Sequence, residues 1–428
     1  MDSLTLTSAQ VQFMDDRLAL VHIPLDLYPY FLQPILQVLF HDVSPIQDDS
    51  SHPPRPFQSA FLNLSITPVE CSVMCPRQLA DRYFAPLIHR FAGTASSDRL
   101  AISQDDFVAM QVYGEGLKAG QRVLDLTSPL ALAGISIFFI STYFSDYIIV
   151  PLRSKQRVID ALGNRGFQFE MDTEAFVNIG QGSFSNPSPI SPSSPPATPP
   201  PSSLNELQTR TFASLRKNAI VPLVDRSLRL VQCAAHHQYS CDASSISILR
   251  EALTAALVVD QPRFLSLTLT AADPAASLLL EKRLLPRFAS SDSDDDDDSL
   301  LLGAKEDILV PVMLDLRKLP LEATGIVCGV ASRLADATHA VDHSSAVPTD
   351  SPVDAPSLSF PGGGHSMHRL QPDLDATLDA VEISFLSTAR AGTILVGEHE
   401  LDRAMDALDA ENHSSSSEPQ YSSLSYDI

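Results

Sequence analysis

The chain of 428 residues is 44% hydrophobic, and its formal net charge is −23. This length predicts two to four domains, and this composition supplies enough apolar side chains for packed cores. The acidity argues against nucleic-acid binding, because phosphate contacts require clustered Lys and Arg; the longest apolar run, Leu130–Ile140, is shorter than the roughly 18–20 residues that cross a bilayer.

Five cysteines are scattered along the chain without a repeated spacing: Cys71, Cys75, Cys233, Cys241 and Cys328. An odd number of cysteines, together with no recognisable cleavable signal segment at the N-terminus, predicts reduced thiols in a cytoplasmic protein.

The first predicted module covers residues 1–95. Its pattern is a strand, an amphipathic helix, two hairpin strands and a second helix. The predicted elements are Leu18–Pro24, Leu27–Phe40, Ala60–Thr67, Glu70–Met74 and Pro76–Arg82.

The second predicted module covers residues 96–175 and gives the clearest pattern in the chain. Short runs of β-branched and aromatic residues alternate with segments of helical spacing, in the order β-α-β-β-α with a further strand. The predicted elements are Asp106–Tyr113, 121–133, Ile135–Ile140, Tyr147–Val150, Ser154–Leu162 and Phe167–Phe169. This order predicts an α+β fold of the ferredoxin-like, split βαβ type.

The remaining chain alternates between biased segments and two further modules. A Pro- and Ser-dense stretch at 176–210 and an acidic stretch at 289–304 predict disordered linkers. Module three is placed at 211–288, with strands at Ser227–Val231, Arg263–Thr270 and Ser277–Leu285 and a helix at Ser244–Leu257. Module four is placed at 305–410, with a strand at Asp307–Leu316, a helix at Gly325–Leu334 and a disordered insertion at 338–378; a disordered tail at 411–428 follows.

The chain contains one segment twice. Ile135–Val150 and Val381–Val396 are identical at six of sixteen aligned positions, and the likeness continues from Arg157–Leu162 to Arg403–Leu408. A match of this length and order indicates a repeated supersecondary unit.

Motifs of known chemistry are absent from the sequence. It has no HExxH, no GxSxG, no phosphate-binding loop and no paired CxxC. His236 and His237 with Cys241 lack further metal ligands, and Pro361–Gly364 is interpreted as a flexible loop. We therefore expect no enzymatic activity, no cofactor and no metal.

Three segments resemble the CASTOR family, the cytosolic arginine sensors of the TOR growth pathway. They are Gly134–Val150 with its following helix, Thr324–Val327 with Leu334, and Val381–Val396. The resemblance implies four ACT domains, arranged in two pairs, that sense an amino acid and regulate a GATOR-like partner complex of the TOR pathway. Homodimerisation stays open.

By position, the resemblance places the ligand between modules two and four. The implied ligand-binding residues are Ser136, Ile137, Thr324, Gly325, Ile326, Val327, Thr388 and Ala389. A Cβ at position 325 would crowd a ligand carboxylate at the helix N-terminus, which is the interpretation given to Gly325. The family's partner-docking turn corresponds to Tyr143, Phe144 and Asp146.

One departure bears on ligand identity. The family carries acids at the positions of Gly392 and Ala323, and one of them faces the guanidinium group. Either Glu322 replaces them, or the protein prefers an amino acid other than arginine, because a buried guanidinium needs a carboxylate partner. Two other functions stay open: a ligand-free interaction scaffold, and an ACT regulatory subunit of an amino-acid biosynthetic enzyme.

Overall fold

A computed structural model describes residues 10–40, 61–91, 100–113, 119–169, 200–236, 243–273, 275–288, 300–344 and 383–414. Several predictions fall outside these residues: the linker up to residue 199, the acidic run 292–298, the insertion from residue 345, the tail from residue 415, and the residues His237, Cys241 and Pro361–Gly364.

The chain forms two halves of similar element order. The strands of the first half are β1 Gln10–Phe13, β2 Leu18–Ile23, β3 Phe61–Ile66, β4 Cys71–Pro76, β5 Ala101–Ile102, β6 Phe107–Tyr113, β7 Phe138–Ser141, β8 Asp146–Pro151 and β9 Gln168–Phe169. Its helices are α1 Tyr28–Leu39, α2 Arg77–Leu79, α3 Ala85–Phe91, α4 Ala119–Leu132 and α5 Lys155–Gly163. A π-helical turn, Ala80–Phe84, joins α2 to α3.

The second half begins with an additional helix. Its strands are β10 Leu223–Val224, β11 Leu230–His236, β12 Leu265–Thr270, β13 Ala275–Glu281, β14 Leu301–Leu302, β15 Leu309–Asp315, β16 Ile383–Ser387 and β17 Ala391–Gly397. Its helices are α6 Leu204–Lys217, α7 Ala243–Ala255, α8 Ile326–Ser344 and α9 Leu401–Ser414, and a 3₁₀ segment covers Lys282–Phe288. Among the described helices, none is long and apolar enough to span a bilayer.

The order strand, helix, hairpin, helical segment occurs four times. We call these stretches unit 1 (β2 to α3), unit 2 (β6 to α5), unit 3 (β11 to the 3₁₀ segment) and unit 4 (β15 to α9). In each unit the first strand pairs antiparallel with the last strand of the hairpin: β2 with β4, β6 with β8, β11 with β13, and β15 with β17. The architecture is therefore α+β with antiparallel sheets, as the sequence predicts.

Strand pairing continues between the units and closes on itself. The longest junction joins β3 to β12, with antiparallel register from Phe61 opposite Thr270 to Ile66 opposite Leu265. Single residue pairs make three other junctions: β2 to β6, β11 to β15, and β7 to β16 through Leu386 opposite Ile140.

Among the described residues, three large hydrophobic cores and one small cluster follow from this arrangement. The 2–4 core lies under the helices of units 2 and 4 and includes Phe139 and Leu334. The 1–3 core lies under those of units 1 and 3 and includes Phe31 and Leu267. A central core on the other face of the strands includes Tyr147. Each core combines residues of both halves, so neither half buries its apolar faces alone.

The largest difference from the sequence prediction is helix α6, since residues 204–210 were expected to belong to a linker. Ser203 caps this helix by accepting a hydrogen bond from Glu206 N at 3.2 Å, and Glu206 Oε2 accepts one from Ser202 N at 2.7 Å. A Ser-x-x-Glu pattern of this kind signals a helix start. The sequence therefore contained a signal that the composition of the preceding stretch obscured.

Smaller differences concern element boundaries. Helix α8 continues to Ser344, through residues 338–344 that were expected to begin the insertion. Strand β11 begins three residues after the predicted start of Ser227–Val231 and runs on to His236. Residues 135–137 precede β7 and are not part of it; they follow the turn at Ala133 and Gly134 that ends α4.

Candidate functional site

A pocket lies between units 2 and 4. Its walls are the loop from β15 to α8, the first turn of α8, the β16–β17 turn, and the stretch between α4 and β7. The lining residues are Ala131, Ile135, Ile137, Phe138, Leu314, Leu316, Leu319, Pro320, Leu321, Ala323, Gly325, Ile326, Val327, Cys328, Phe385, Ser387, Thr388, Ala389, Ala391 and Gly392.

Seven of the ten residues predicted to bind ligand line this pocket: Ile137, Gly325, Ile326, Val327, Thr388, Ala389 and Gly392. Ser136 and Glu322 line a neighbouring cavity of about 350 Å³ instead, together with Asp105 and Arg153. Thr324 is exposed. The structure therefore brings most of the predicted residues together. It places Glu322, the acid that could have paired with an arginine ligand, at the neighbouring cavity.

A helix terminus presents Ile137 to the pocket. Gly134 ends α4 with φ +65°, which favours glycine. The N–H of Gly134 donates to Ala131 O at 2.9 Å, and the N–H of Ile135 donates to Leu130 O at 3.0 Å. This pair of bonds is a Schellman motif, and it turns the chain into the pocket wall before β7 begins.

The pocket volume is about 60 Å³. A water molecule requires at least about 10–15 Å³ of such volume, whereas sites for small ligands commonly enclose roughly 300–1,000 Å³. In this conformation the pocket accommodates a few waters, and an amino acid would require its walls to move apart.

Gly325 has a structural role that differs from the one expected. Its φ is +79°, and a Cβ added to it would lie 2.7 Å from Leu207 Cδ1. Gly325 O also accepts a hydrogen bond from Thr211 Oγ1 at 3.2 Å. Position 325 therefore favours glycine because of its backbone conformation, and α6 approaches it closely as well.

Buried carboxyl groups connect the turns of the two halves. Glu70, in the β3–β4 turn, is fully buried, and its Oε1 accepts a hydrogen bond from Thr388 Oγ1 at 2.5 Å. Oε1 also accepts one from Arg390 N, and Oε2 pairs with His22 Nδ1. Sequence reasoning missed Glu70, because an acid in a hairpin turn is usually solvated.

Asp273, in the β12–β13 turn, has the corresponding position in the second half. Its Oδ1 accepts from Gln111 Nε2 at 3.2 Å and Ser145 Oγ at 3.0 Å, and its Oδ2 accepts from Tyr147 OH at 2.7 Å. Burial raises the pKa of Asp273 above its usual value, and the hydrogen bonds from Tyr147 and Ser145 oppose that rise. Burial and the nearby Asp273 carboxyl group raise the pKa of Tyr147.

The four hairpin turns share one hydrogen bond. Each begins with a threonine, and the N–H three residues later donates to the threonine Oγ1 at 3.0–3.3 Å. The pairs are Thr67 with Glu70, Thr142 with Ser145, Thr270 with Asp273, and Thr388 with Ala391. The units thus resemble one another in their turns as well as in their element order.

The predicted partner-docking turn is only partly exposed. Tyr143 and Phe144 are 41% and 37% exposed, and their rings meet edge to face at 5.1 Å. Asp146 is buried, and its Oδ2 lies 2.6 Å from Arg122 Nε. Burial raises the pKa of Asp146, and the Arg122 charge opposes this. The two aromatic rings present the accessible surface of this turn.

Within the part of the chain that the structure describes, no group of His, Cys, Asp and Glu could hold a metal ion. The described cysteines, Cys71, Cys75, Cys233 and Cys328, are buried free thiols.

A family model for the ACT domain matches residues 102–164, which include β6, α4, β7, β8 and α5. Residues 102–164 form an ACT domain. This relation indicates a regulatory role with amino-acid binding and agrees with the ferredoxin-like order of unit 2. No curated protein matches the chain.

Three solved structures are similar to the chain at low scores. A protein from Agobacterium tumefaciens matches at TM-score 0.24 and 15% identity, over 39% of this chain and 94% of its own. Aspartate kinase from Synechocystis matches at TM-score 0.30 and 10% identity, over 99% of this chain and 59% of its own. A Vibrio cholerae protein of unknown function, described as a possible transport protein, matches at TM-score 0.22 and 18% identity, over 38% and 94%.

Proposed function

We propose that this protein is a non-enzymatic amino-acid sensor of the cytosol, in which all four units are ACT modules. Modules 1 and 3 form one pair, and modules 2 and 4 form the other. The ACT match in unit 2, the repeated element order and the shared threonine turns support this arrangement. The two helix-covered cores, one for each pair, support the pairing.

The ligand binds between modules 2 and 4. The observation that carries this proposal is the convergence of seven predicted residues, from both modules, on one pocket. The first turn of α8 lines that pocket and contains no acidic residue. Its N–H groups lack partners within the helix and suit a carboxylate. The β16–β17 turn, which includes Ser387 and Thr388, lines the same pocket and would contact the end of a bound amino acid opposite its carboxylate.

Ligand binding regulates a partner complex of the TOR nutrient pathway through the Tyr143–Phe144 turn. This turn belongs to the module whose residues Ile135, Ile137 and Phe138 line the pocket. A ligand that opens the pocket shifts β7 relative to module 4, and therefore changes the surface offered by the turn that follows β7. The ligand can shift the equilibrium between the closed and open pocket by no more than the difference in its binding free energy for the two states.

The small pocket favours a second candidate, a ligand-free interaction scaffold. A volume of about 60 Å³ fits a site that has lost its ligand as well as one that is closed. Under this alternative the Tyr143–Phe144 turn binds its partner equally well with and without an amino acid present.

A thermal-shift panel of the twenty amino acids, with calorimetry on any hit, separates these candidates. Ligand at about a hundred times its Kd adds about 2.7 kcal/mol to the free energy of unfolding, which raises Tm by a few degrees. No shift with any amino acid contradicts the sensor and favours the scaffold.

Pulldown from cell extract with and without the hit then tests the partner. Tyr143→Ala with Phe144→Ala is expected to abolish capture of a TOR-pathway complex, while Tyr30→Ala, at another exposed ring, is the matched control. Capture of an amino-acid biosynthetic enzyme instead would indicate a regulatory subunit and contradict TOR-pathway control.

A further inference from the structure

The pocket between units 2 and 4 is lined almost entirely by aliphatic and aromatic side chains. Its large apolar lining residues include Leu316, Leu319, Leu321, Ile326 and Phe385. Its side-chain polar groups are the hydroxyls of Ser387 and Thr388, and no charged side chain is among its lining residues.

The two positions at which the resemblance to the CASTOR family implies an acid both line this pocket. Gly392 and Ala323 are lining residues, and neither offers a carboxylate. A Cβ at Gly392 would lie 3.5 Å from Leu316 Cδ1, so a leucine methyl group occupies the space beside that position. Glu322, the remaining acid of this loop, is exposed and lines the neighbouring cavity.

Nearby carboxylates are already engaged. Glu70 contacts Thr388, but both of its oxygens have partners, in Thr388 and Arg390 N on one side and His22 on the other. Asp315 pairs with Arg317 across 2.9 Å. The guanidinium of Arg390 lies close by, with Nη1 3.5 Å from Leu319 O, and would repel a second cation.

We propose that this pocket takes an amino acid with a small aliphatic side chain, such as valine or leucine, and excludes arginine. This inference rests on the proposed function of the same site. The ligand backbone lies at the first turn of α8, and its side chain contacts Leu316, Ala323 and Phe385. A guanidinium in this position would be buried without a partner, whereas an aliphatic chain gains contact on every side.

Calorimetry on the full chain with valine, leucine and arginine tests the specificity. The tighter of the two aliphatic amino acids is expected to bind roughly 100-fold or more tightly than arginine, because an unpaired buried charge is strongly disfavoured. Tighter binding of arginine would overturn this inference and leave the sensor standing. Binding of none of the twenty amino acids would overturn the sensor itself, and the specificity with it.

A matched pair of variants tests the residue that sets the specificity. Gly392 has no positive φ and only the 3.5 Å contact beside it, so Gly392→Asp fits the backbone. Gly163→Asp in α5, where a Cβ meets nothing within 4 Å and which lies outside the pocket, is the control and is expected to leave aliphatic binding unchanged. Gly392→Asp is expected to weaken it at least about tenfold and to strengthen arginine binding, since a carboxylate now faces the side chain.

Unchanged leucine affinity in a folded Gly392→Asp protein would place the ligand elsewhere and overturn the inference. Urea unfolding of both variants establishes that they are folded. Ala323→Asp, in the loop between β15 and α8, provides a second version of the same test, with the same two outcomes.

Discussion

At the scale of single residues, two buried acids explain how the hairpin turns of one half contact those of the other. Glu70 and Asp273 each occupy the fourth position of a turn that begins with threonine. Glu70 reaches the turn of unit 4 at Thr388, and Asp273 reaches the turn of unit 2 at Ser145. Because Thr388 lines the pocket, the Glu70 contact fixes one wall of the candidate site.

The raised pKa of Asp273 predicts a pH dependence of stability. A raised pKa in the folded protein means that the folded state binds the proton more tightly than the unfolded state does. The stabilisation is fully present below the ordinary pKa of 3.8 and is lost as pH rises through the raised value. Each unit of the rise corresponds to about 1.4 kcal/mol.

Asp273→Asn removes this ionisation. Urea unfolding between pH 4 and 7 gives the free energy of unfolding of the native protein and of Asp273→Asn. The native protein is expected to exceed the variant most at pH 4, and the difference is expected to decrease towards pH 7. Asp315→Asn is the control, because hydrogen bonding from Arg317 lowers the pKa of Asp315, so its contribution is lost only below the ordinary value. An advantage that grows with pH would contradict the burial of Asp273.

The sequence predicted the backbone positions of the site better than its side-chain contacts. Ile137, Gly325 and Thr388 were placed through resemblance to a family pattern that follows strand and helix ends, and all three line the pocket. Glu70 and Asp273 were missed, because their partners in the other half lie more than a hundred residues away in the sequence. Local patterns do not reveal contacts that only the closed arrangement of strands creates.

At the scale of elements, α6 packs closely on α8 and contacts the residues that form one wall of the pocket. A Cβ at Gly329 would lie 2.6 Å from Thr211 Oγ1 and 2.8 Å from Thr211 Cβ. Leu207 shares a hydrophobic cluster with Ala131 and Cys328, which line the pocket. Helix α6 therefore touches the residues that shape the site, without entering it.

Gly329→Ala is expected to destabilise the protein although it improves helix propensity. In an open helix this change stabilises by about 1 kcal/mol. Here the added methyl group meets Thr211, and we expect a loss of about 1–3 kcal/mol in urea unfolding. Gly163→Ala in α5 is the matched control, because a Cβ there meets nothing within 4 Å.

Thr211→Ala relieves part of the overlap by removing Oγ1 and Cγ2. The double variant should therefore be more stable than the sum of the two single effects, with a coupling of about 0.5–3 kcal/mol. Stabilisation by Gly329→Ala alone, or strict additivity, would contradict the packing of α6 on α8.

Element prediction succeeded where the hydrophobic period was strong and failed where composition dominated. The strand and helix order of unit 2 agrees with the prediction to within about three residues. Helix α6 was missed because its Pro- and Ser-dense neighbourhood outweighed the capping pattern at Ser203 and Glu206. The capping residues Ser203 and Glu206 start helix α6, and its tertiary contacts with α8 stabilise it further.

At the scale of the whole molecule, the two halves interlock. Strands β3 and β12 come from different halves and pair over six residues, and the buried Asn63 amide donates to Ser266 Oγ at 3.1 Å and Thr268 Oγ1 at 3.0 Å across that junction. Separating the halves would leave these polar groups and both helix-covered cores without partners, which costs far more than any single contact.

This interlocking predicts one cooperative unfolding transition for the described fold, in spite of its repeated units. Leu267→Ala in the 1–3 core and Leu334→Ala in the 2–4 core remove fully buried side chains and should each cost about 2–5 kcal/mol. Differential scanning calorimetry is expected to show that each variant lowers the same single transition, because each core contains residues of both halves. Two transitions, each lowered by only one of the variants, would mean that the pairs unfold independently and that the strand junctions between them contribute little.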